Sequence, residues 1–274
     1  MITYKTMPTG GLGNRLFQYH FLLQVGNQLG ARTLIPWGKD SQFVTKNTSH
    51  LSHRIDTFTD SKAAFSSKDF GDPLSVELIE KIQELTSLKS SVSLVPPFLG
   101  EWFFQSCFRN PKTLFKPQPR LDVGQPFIAL HIRGGDFAAW NPDAILPADY
   151  YISAIEQSLT QEGNLPVVIV TDDTSQSAIE LIRQAYPQQT TMGEQVRRDL
   201  KQLSSFHGDF ALLGAAKTLI SSPSTFAIWA SILGENASVI HSKSWVESMA
   251  ARGDVFWLKL LAGGNAFYHA SELI

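Results

Sequence analysis

Two rhythms of apolar residues run through this chain, one short and continuous, the other spaced for helices. In the second half, runs dominated by apolar or β-branched residues at 127–132, 167–170, 218–220 and 239–240 read as buried strands, with a further short strand near 190–192. Helices are predicted between them, from about 148 to 159, from about 175 to 185 and over 225–233. Alternation of β and α at these lengths predicts a parallel sheet covered by helices on both faces.

The first half follows the same grammar less regularly. Residues 2–7 read as a strand, 9–14 as a glycine-rich turn, and a helix starts near Asn14, with Leu16, Phe17, Phe21, Leu22 and Val25 at helical spacing until Gly30. Strands at 33–37 and 92–95 follow, with a helix from Pro73 carrying Val76, Ile79, Ile82 and Leu85. Residues 40–72 are polar and read as loop with short elements. Pro111, Pro117, Pro119 and Pro126 mark a linker. The expectation is two α/β halves, 1–124 and 125–274, facing across a cleft.

Composition narrows the partners. At 274 residues and 43% hydrophobic, the chain can bury a sizeable core, and a formal net charge of -2 offers no broad basic face for nucleic acid. The one cysteine, Cys107, excludes an internal disulfide and a multi-cysteine metal cluster, and reads as a packed apolar residue. Seven histidines lack ligand spacing, so no metal site is expected. The amino terminus is too short and polar for a signal peptide, and no apolar span reaches ~18 residues; a cytoplasmic protein is expected.

Candidate chemistry falls at strand ends. The strand at 127–132 delivers His131, Arg133 and Asp136 to a turn at its carboxyl end, the edge where open α/β sheets bind ligands. A guanidinium such as that of Arg133 suits a diphosphate, although an ordinary ion pair in solvent explains the same spacing. Ser224, Thr225 and Phe226 open a helix whose amides suit an anion; a plain cap is the alternative. Asp209, at the start of a helix, can accept from a guanine edge or simply cap that helix. Gly11, Gly13 and Asn14 form a turn that lets a ligand approach the backbone, but Leu16 stands where a dinucleotide fingerprint needs its third glycine. Trp102, Phe104 and Gln105 can stack on and hydrogen-bond a sugar, or pack in the core. Asp172 and Asp173 are adjacent rather than spaced as Asp-x-Asp, and read as a strand-end turn or helix cap.

Several of these motifs occur in the order and spacing of one family. Gly10 to Tyr19, Gly100 to Ser106, His131 to Phe137, Leu146 to Ile155, Thr171 to Asp173 and Asp209 to Trp229 together resemble the family 11 glycosyltransferases, the α-1,2-fucosyltransferases. Departures are Gly134 in place of the family's second arginine, Arg15 in place of glutamine, and Glu101 and Phe137 in place of tyrosine. The resemblance implies a GT-B-like fold of two Rossmann-like halves and metal-independent, inverting transfer of fucose from GDP-β-L-fucose to the 2-hydroxyl of a terminal β-galactose. It assigns Gly11, Gly13, Asn14, His131, Arg133, Asp209, Ser224, Thr225 and Phe226 to the donor, and Trp102, Phe104 and Gln105 to the acceptor. Arg133, Asn14 and Asp136 would be catalytic, Asp136 as general base or as a structural turn residue. No cofactor is implied, and a peripheral association with the inner face of a bacterial membrane stays open. So do a different linkage and a GDP- or sugar-binding protein without turnover.

Overall fold

The structure, a computed structural model, describes residues 2–4, 10–31, 33–36, 40, 43, 49–51, 64–66, 80, 83–84, 92–95, 110–118, 121–135, 137–200, 205–264, 268 and 270–274. It divides into two compact units, Met1–Pro117 and Gln118–Ile274, at a point inside the proline-rich segment.

In the first unit five parallel strands pair in the order β3-β2-β1-β5-β4: β1 Ile2–Tyr4, β2 Thr33–Pro36, β3 Ser49–Leu51, β4 Ala64–Ser66 and β5 Val92–Val95. Two of them, β3 and β4, lie in the segment whose polarity reads as loop. Helix α1, Leu12–Gln28, packs along this sheet and is buried on nearly every side, which is why its apolar residues exceed a single stripe. Its buried polar groups are partnered: Gln24 Nε2 lies 3.0 Å from His20 Nε2, and Gln18 donates to the Asn14 carbonyl at 3.0 Å. Of the helix expected from Pro73, only Glu80, Gln83 and Glu84 are among the described residues, and all three are helical.

The second unit holds six parallel strands: β6 Ile128–Ile132, β7 Val167–Thr171, β8 Thr190–Met192, β9 Thr218–Ser221, β10 Ser238–His241 and β11 Glu272–Leu273. Their order, β11-β10-β9-β6-β7-β8, is that of a Rossmann sheet, whose chain order reverses between β6 and β9. All five residues of β6 and all four of β9 are buried, as central strands covered on both faces must be. Each fully buried aliphatic side chain there contributes about 1.5–3 kcal/mol.

Helices α2 Phe137–Trp140, α3 Ala148–Glu162, α4 Ser177–Ala185, α5 Gly193–Leu200, α6 Ser205–Ala215, α7 Thr225–Leu233, α8 Lys243–Ala251 and α9 Val255–Leu261 complete the described unit. Tyr150 of α3 is buried, and its hydroxyl donates to the carbonyls of Ser221 (3.0 Å) and Ile240 (3.1 Å). One phenol thus ties α3 to the carboxyl ends of β9 and β10. Trp229 of α7 is fully buried. No helix among the described residues is long and apolar enough to cross a membrane.

Candidate functional site

Neighbouring strands β6 and β9 end together at the point where the strand order reverses. There the Ser222 amide donates to the His131 carbonyl at 3.0 Å, and His131 Nδ1 lies 2.7 Å from Ser222 Oγ. Burial first, and the charge of Arg133 second, push the His131 pKa down to about 3, so its ring is neutral at physiological pH. Ser224 adopts an extended backbone at the head of α7, and its Oγ accepts from the Phe226 amide at 3.2 Å. It is therefore a helix cap, and the first turn of α7 presents the positive end of the helix at the same sheet edge. The Phe226 ring stands between His131 (5.9 Å) and Phe210 (5.3 Å, near perpendicular). His131, Ser224, Thr225 and Phe226 are thus brought together, with Arg133 following β6 on the same edge.

Arg133 is half-buried and held on two sides. Its Nη1 pairs with Asp172 at the end of β7, and its guanidinium lies 4.6 Å from the centre of the Phe137 ring. Asp172 also accepts the Gly134 amide at 2.9 Å. Asp173 turns the other way, accepting from the Ser175 amide (3.0 Å), the Ser175 hydroxyl (2.6 Å) and the Gln176 side chain (2.8 Å). These bonds, the Ser175 hydroxyl foremost, hold the Asp173 carboxyl well below the usual carboxylate range. A Cβ on Gly134 would sit 2.7 Å from Asp173 Cβ and 2.8 Å from Gln176 Nε2. The space that a second arginine needs is therefore filled, which accounts for glycine at this position.

Asp209 departs from its expected place. It lies one turn inside α6 rather than at a helix start, because Ser205 to Gly208 already belong to the helix. Arg197 of α5 pairs with it, Nε to Oδ1 at 2.8 Å. Burial still pushes its pKa up to about 6 against the lowering influence of Arg197. A helix cap is excluded, and Arg197 is a partner that no local motif announces.

The glycine turn belongs to the first unit. Gly10 has φ +85°, and a Cβ there would fall 2.7 Å from Asn14 Nδ2, so both backbone and space require glycine. Gly11 precedes α1 as an extended residue without a side-chain cap, while Gly13 and Asn14 sit in its first turn, so the helix starts two residues before Asn14. Arg15 staples this turn to the chain beyond β2. Its Nη1 donates to the Gly10 carbonyl at 2.6 Å, while Nε and Nη2 reach the two oxygens of Asp40 at 2.5 and 2.8 Å. The Tyr19 hydroxyl adds a bond to Asp40 at 3.3 Å.

Trp102, Phe104, Gln105 and Asp136 lie outside the described residues. Sequence reasoning did not single out Ser222, Asp172 or Phe137 as companions of His131 and Arg133. The serine run after β9 and the acidic pair after β7 are the signals that could have found them, since adjacent parallel strands place their carboxyl ends side by side. A groove of about 460 Å³ occupies the opposite, amino-terminal edge, lined by residues such as Leu121, Phe127 and Lys217. It is remote from the polar groups gathered at the carboxyl edge.

The model of glycosyl transferase family 11 matches residues 118–254, half of the chain and nearly the whole second unit. No curated protein matches the sequence. Among solved structures, POFUT1 in complex with GDP-fucose is similar at a TM-score of 0.54 and 12% identity, covering 82% of this chain and 91% of that one. NodZ alpha-1,6-fucosyltransferase soaked with GDP-fucose is similar at 0.53 and 14% identity, covering 88% and 94%. Fucosyltransferase NodZ from Bradyrhizobium is similar at 0.50 and 14% identity, covering 85% and 92%. At these identities the likeness is one of fold, a GT-B-like α/β fold that extends over both units.

Proposed function

The chain belongs to glycosyl transferase family 11, and from that premise we propose that it is an inverting, metal-independent α-1,2-fucosyltransferase acting from GDP-β-L-fucose on a terminal β-galactose. The observation that carries the donor half is the carboxyl edge of the Rossmann sheet, where Arg133, neutral His131 and the Ser224-capped start of α7 meet at the strand-order reversal. The similar POFUT1 structure is a complex with GDP-fucose and the similar NodZ structure was soaked with it, which supports the choice of donor.

In this reading the diphosphate lies against Arg133 and the first turn of α7. A galactose 2-hydroxyl attacks the fucosyl C1 from the face opposite GDP. The bond from C1 to the β-phosphate oxygen breaks with its electron pair leaving on GDP, and the hydroxyl proton passes to a base, for which Asp136 is the proposed residue. Negative charge grows on the phosphate oxygen as the bond breaks, so fixed donors there stabilise the transition state more than the ground state. Such donors are worth ~2.7–4 kcal/mol each. His131, kept neutral, adds no charge and offers a hydrogen-bonding group to the nucleoside side together with Asp209. Asn14 is proposed to reach the donor phosphate, and Trp102, Phe104 and Gln105 to receive the acceptor.

The test is transfer from GDP-fucose to lactose and to a β1,3-linked galactoside in EDTA, followed by linkage analysis. Fucose on the galactose 2-hydroxyl without added metal is the expected product. Transfer at another position overturns the linkage, a strict metal requirement overturns the mechanism, and failure to bind GDP-fucose overturns the donor.

A further inference from the structure

We propose that Asp172 is a positioning residue for Arg133, orienting the guanidinium before the donor arrives. This rests on the reading that Arg133 engages the donor diphosphate. Three restraints act together: the Asp172 carboxylate on one edge of the guanidinium, the Phe137 ring on its face at 4.6 Å, and the Gly134 amide donating to the same carboxylate at 2.9 Å. A partly exposed ion pair of this kind contributes little to stability by itself. Its effect is on order: an arginine side chain is rich in rotamers, and fixing it beforehand removes their entropy cost from the binding step. The guanidinium has five donors, and the bond to Asp172 uses the Nη1 end.

The alternative is that Asp172 is a stand-in anion that the diphosphate displaces. Its second anchor argues against this, since a carboxylate that also holds the Gly134 amide is not set to swing away. Asp173 and Gln176, filling the space beside Gly134, fix the same pair of strand-end loops. Asp172 lies 39 residues from Arg133 in sequence, and the two meet only because β6 and β7 are neighbours.

The experiment is a double-mutant cycle read by calorimetric titration with GDP, each protein's thermal midpoint confirming its fold. Asp172→Ala is expected to weaken GDP about tenfold, and to change nothing further in an Arg133→Ala background. Asp172→Asn, which keeps one acceptor oxygen where the carboxylate uses two, is expected to recover part of the loss, and it carries the cycle if the alanine variant does not fold. Equal losses in both backgrounds overturn the positioning role, as does tighter GDP binding by Asp172→Ala. Wild-type GDP affinity in Arg133→Ala alone overturns the donor reading beneath it, and is distinguished because it needs no change at Asp172.

Discussion

His131 and Ser222 are bonded twice, once through the backbone at 3.0 Å and once through their side chains at 2.7 Å, although 91 residues separate them in sequence. The pair joins the two strands that flank the strand-order reversal. Ser222→Ala removes the side-chain bond and leaves a buried imidazole nitrogen without that partner, which should cost about 1–3 kcal/mol. Chemical denaturation measures this; an unchanged midpoint would mean that the side-chain bond contributes nothing.

Arg133→Ala should lower transfer from GDP-fucose by at least about 10²–10³-fold, the effect of losing one donor aimed at a developing charge. The fold should survive, because Arg133 is half-exposed and its ion pair adds little stability. Steady-state kinetics beside a thermal melt checks both halves, and activity within a few-fold of wild type removes Arg133 from the mechanism.

Restoring an arginine at position 134 is predicted to harm rather than help. Even the Cβ meets Asp173 and Gln176 at under 3 Å, so Gly134→Arg must push apart the loops that follow β6 and β7. Overpacking of this kind costs about 1–3 kcal/mol or more. A gain in GDP affinity without loss of stability would refute the argument.

Acid should weaken the fold through its buried histidines. His241 is held neutral by burial, its pKa lowered from 6.5 to about 4, so the unfolded chain takes up a proton that the folded one refuses as pH falls between those values. At about 1.4 kcal/mol per pH unit, the loss approaches 3 kcal/mol by pH 4. His241→Gln should be less stable than wild type at pH 8, and the difference should shrink by roughly that amount toward pH 4. Parallel stability profiles would contradict the assignment of the proton to His241.

The sequence made the second unit legible where burial writes itself as an apolar run. Strands β6, β7 and β9 stand within a residue of their expected places, and α7 matches its expected span, because interior parallel strands and their covering helices leave continuous patterns. The two-residue β11 leaves no such pattern, and β3 and β4 are short strands in a polar stretch. Arg133 and the α7 cap could be read from motif and turn chemistry. Their partners could not: Asp172 meets Arg133, Asp40 meets Arg15 and Arg197 meets Asp209 through strand neighbourhood or helix packing. Asp209 illustrates the limit, since a helix that opens with Ser205 and carries Gly208 in its first turn hides its own start.

The hydroxyl of Tyr150, shared between the carbonyls of Ser221 and Ile240, bears on how a substitution screen of this protein should be interpreted. Phenylalanine there would remove the one hydroxyl that reaches both carbonyls, and shorter polar side chains would fall short of at least one. A screen scored only on product would therefore rank position 150 beside Arg133. Scored on the amount of soluble protein as well, the two would separate: variants at 150 would fall in yield, while variants at 133 would accumulate and stay silent.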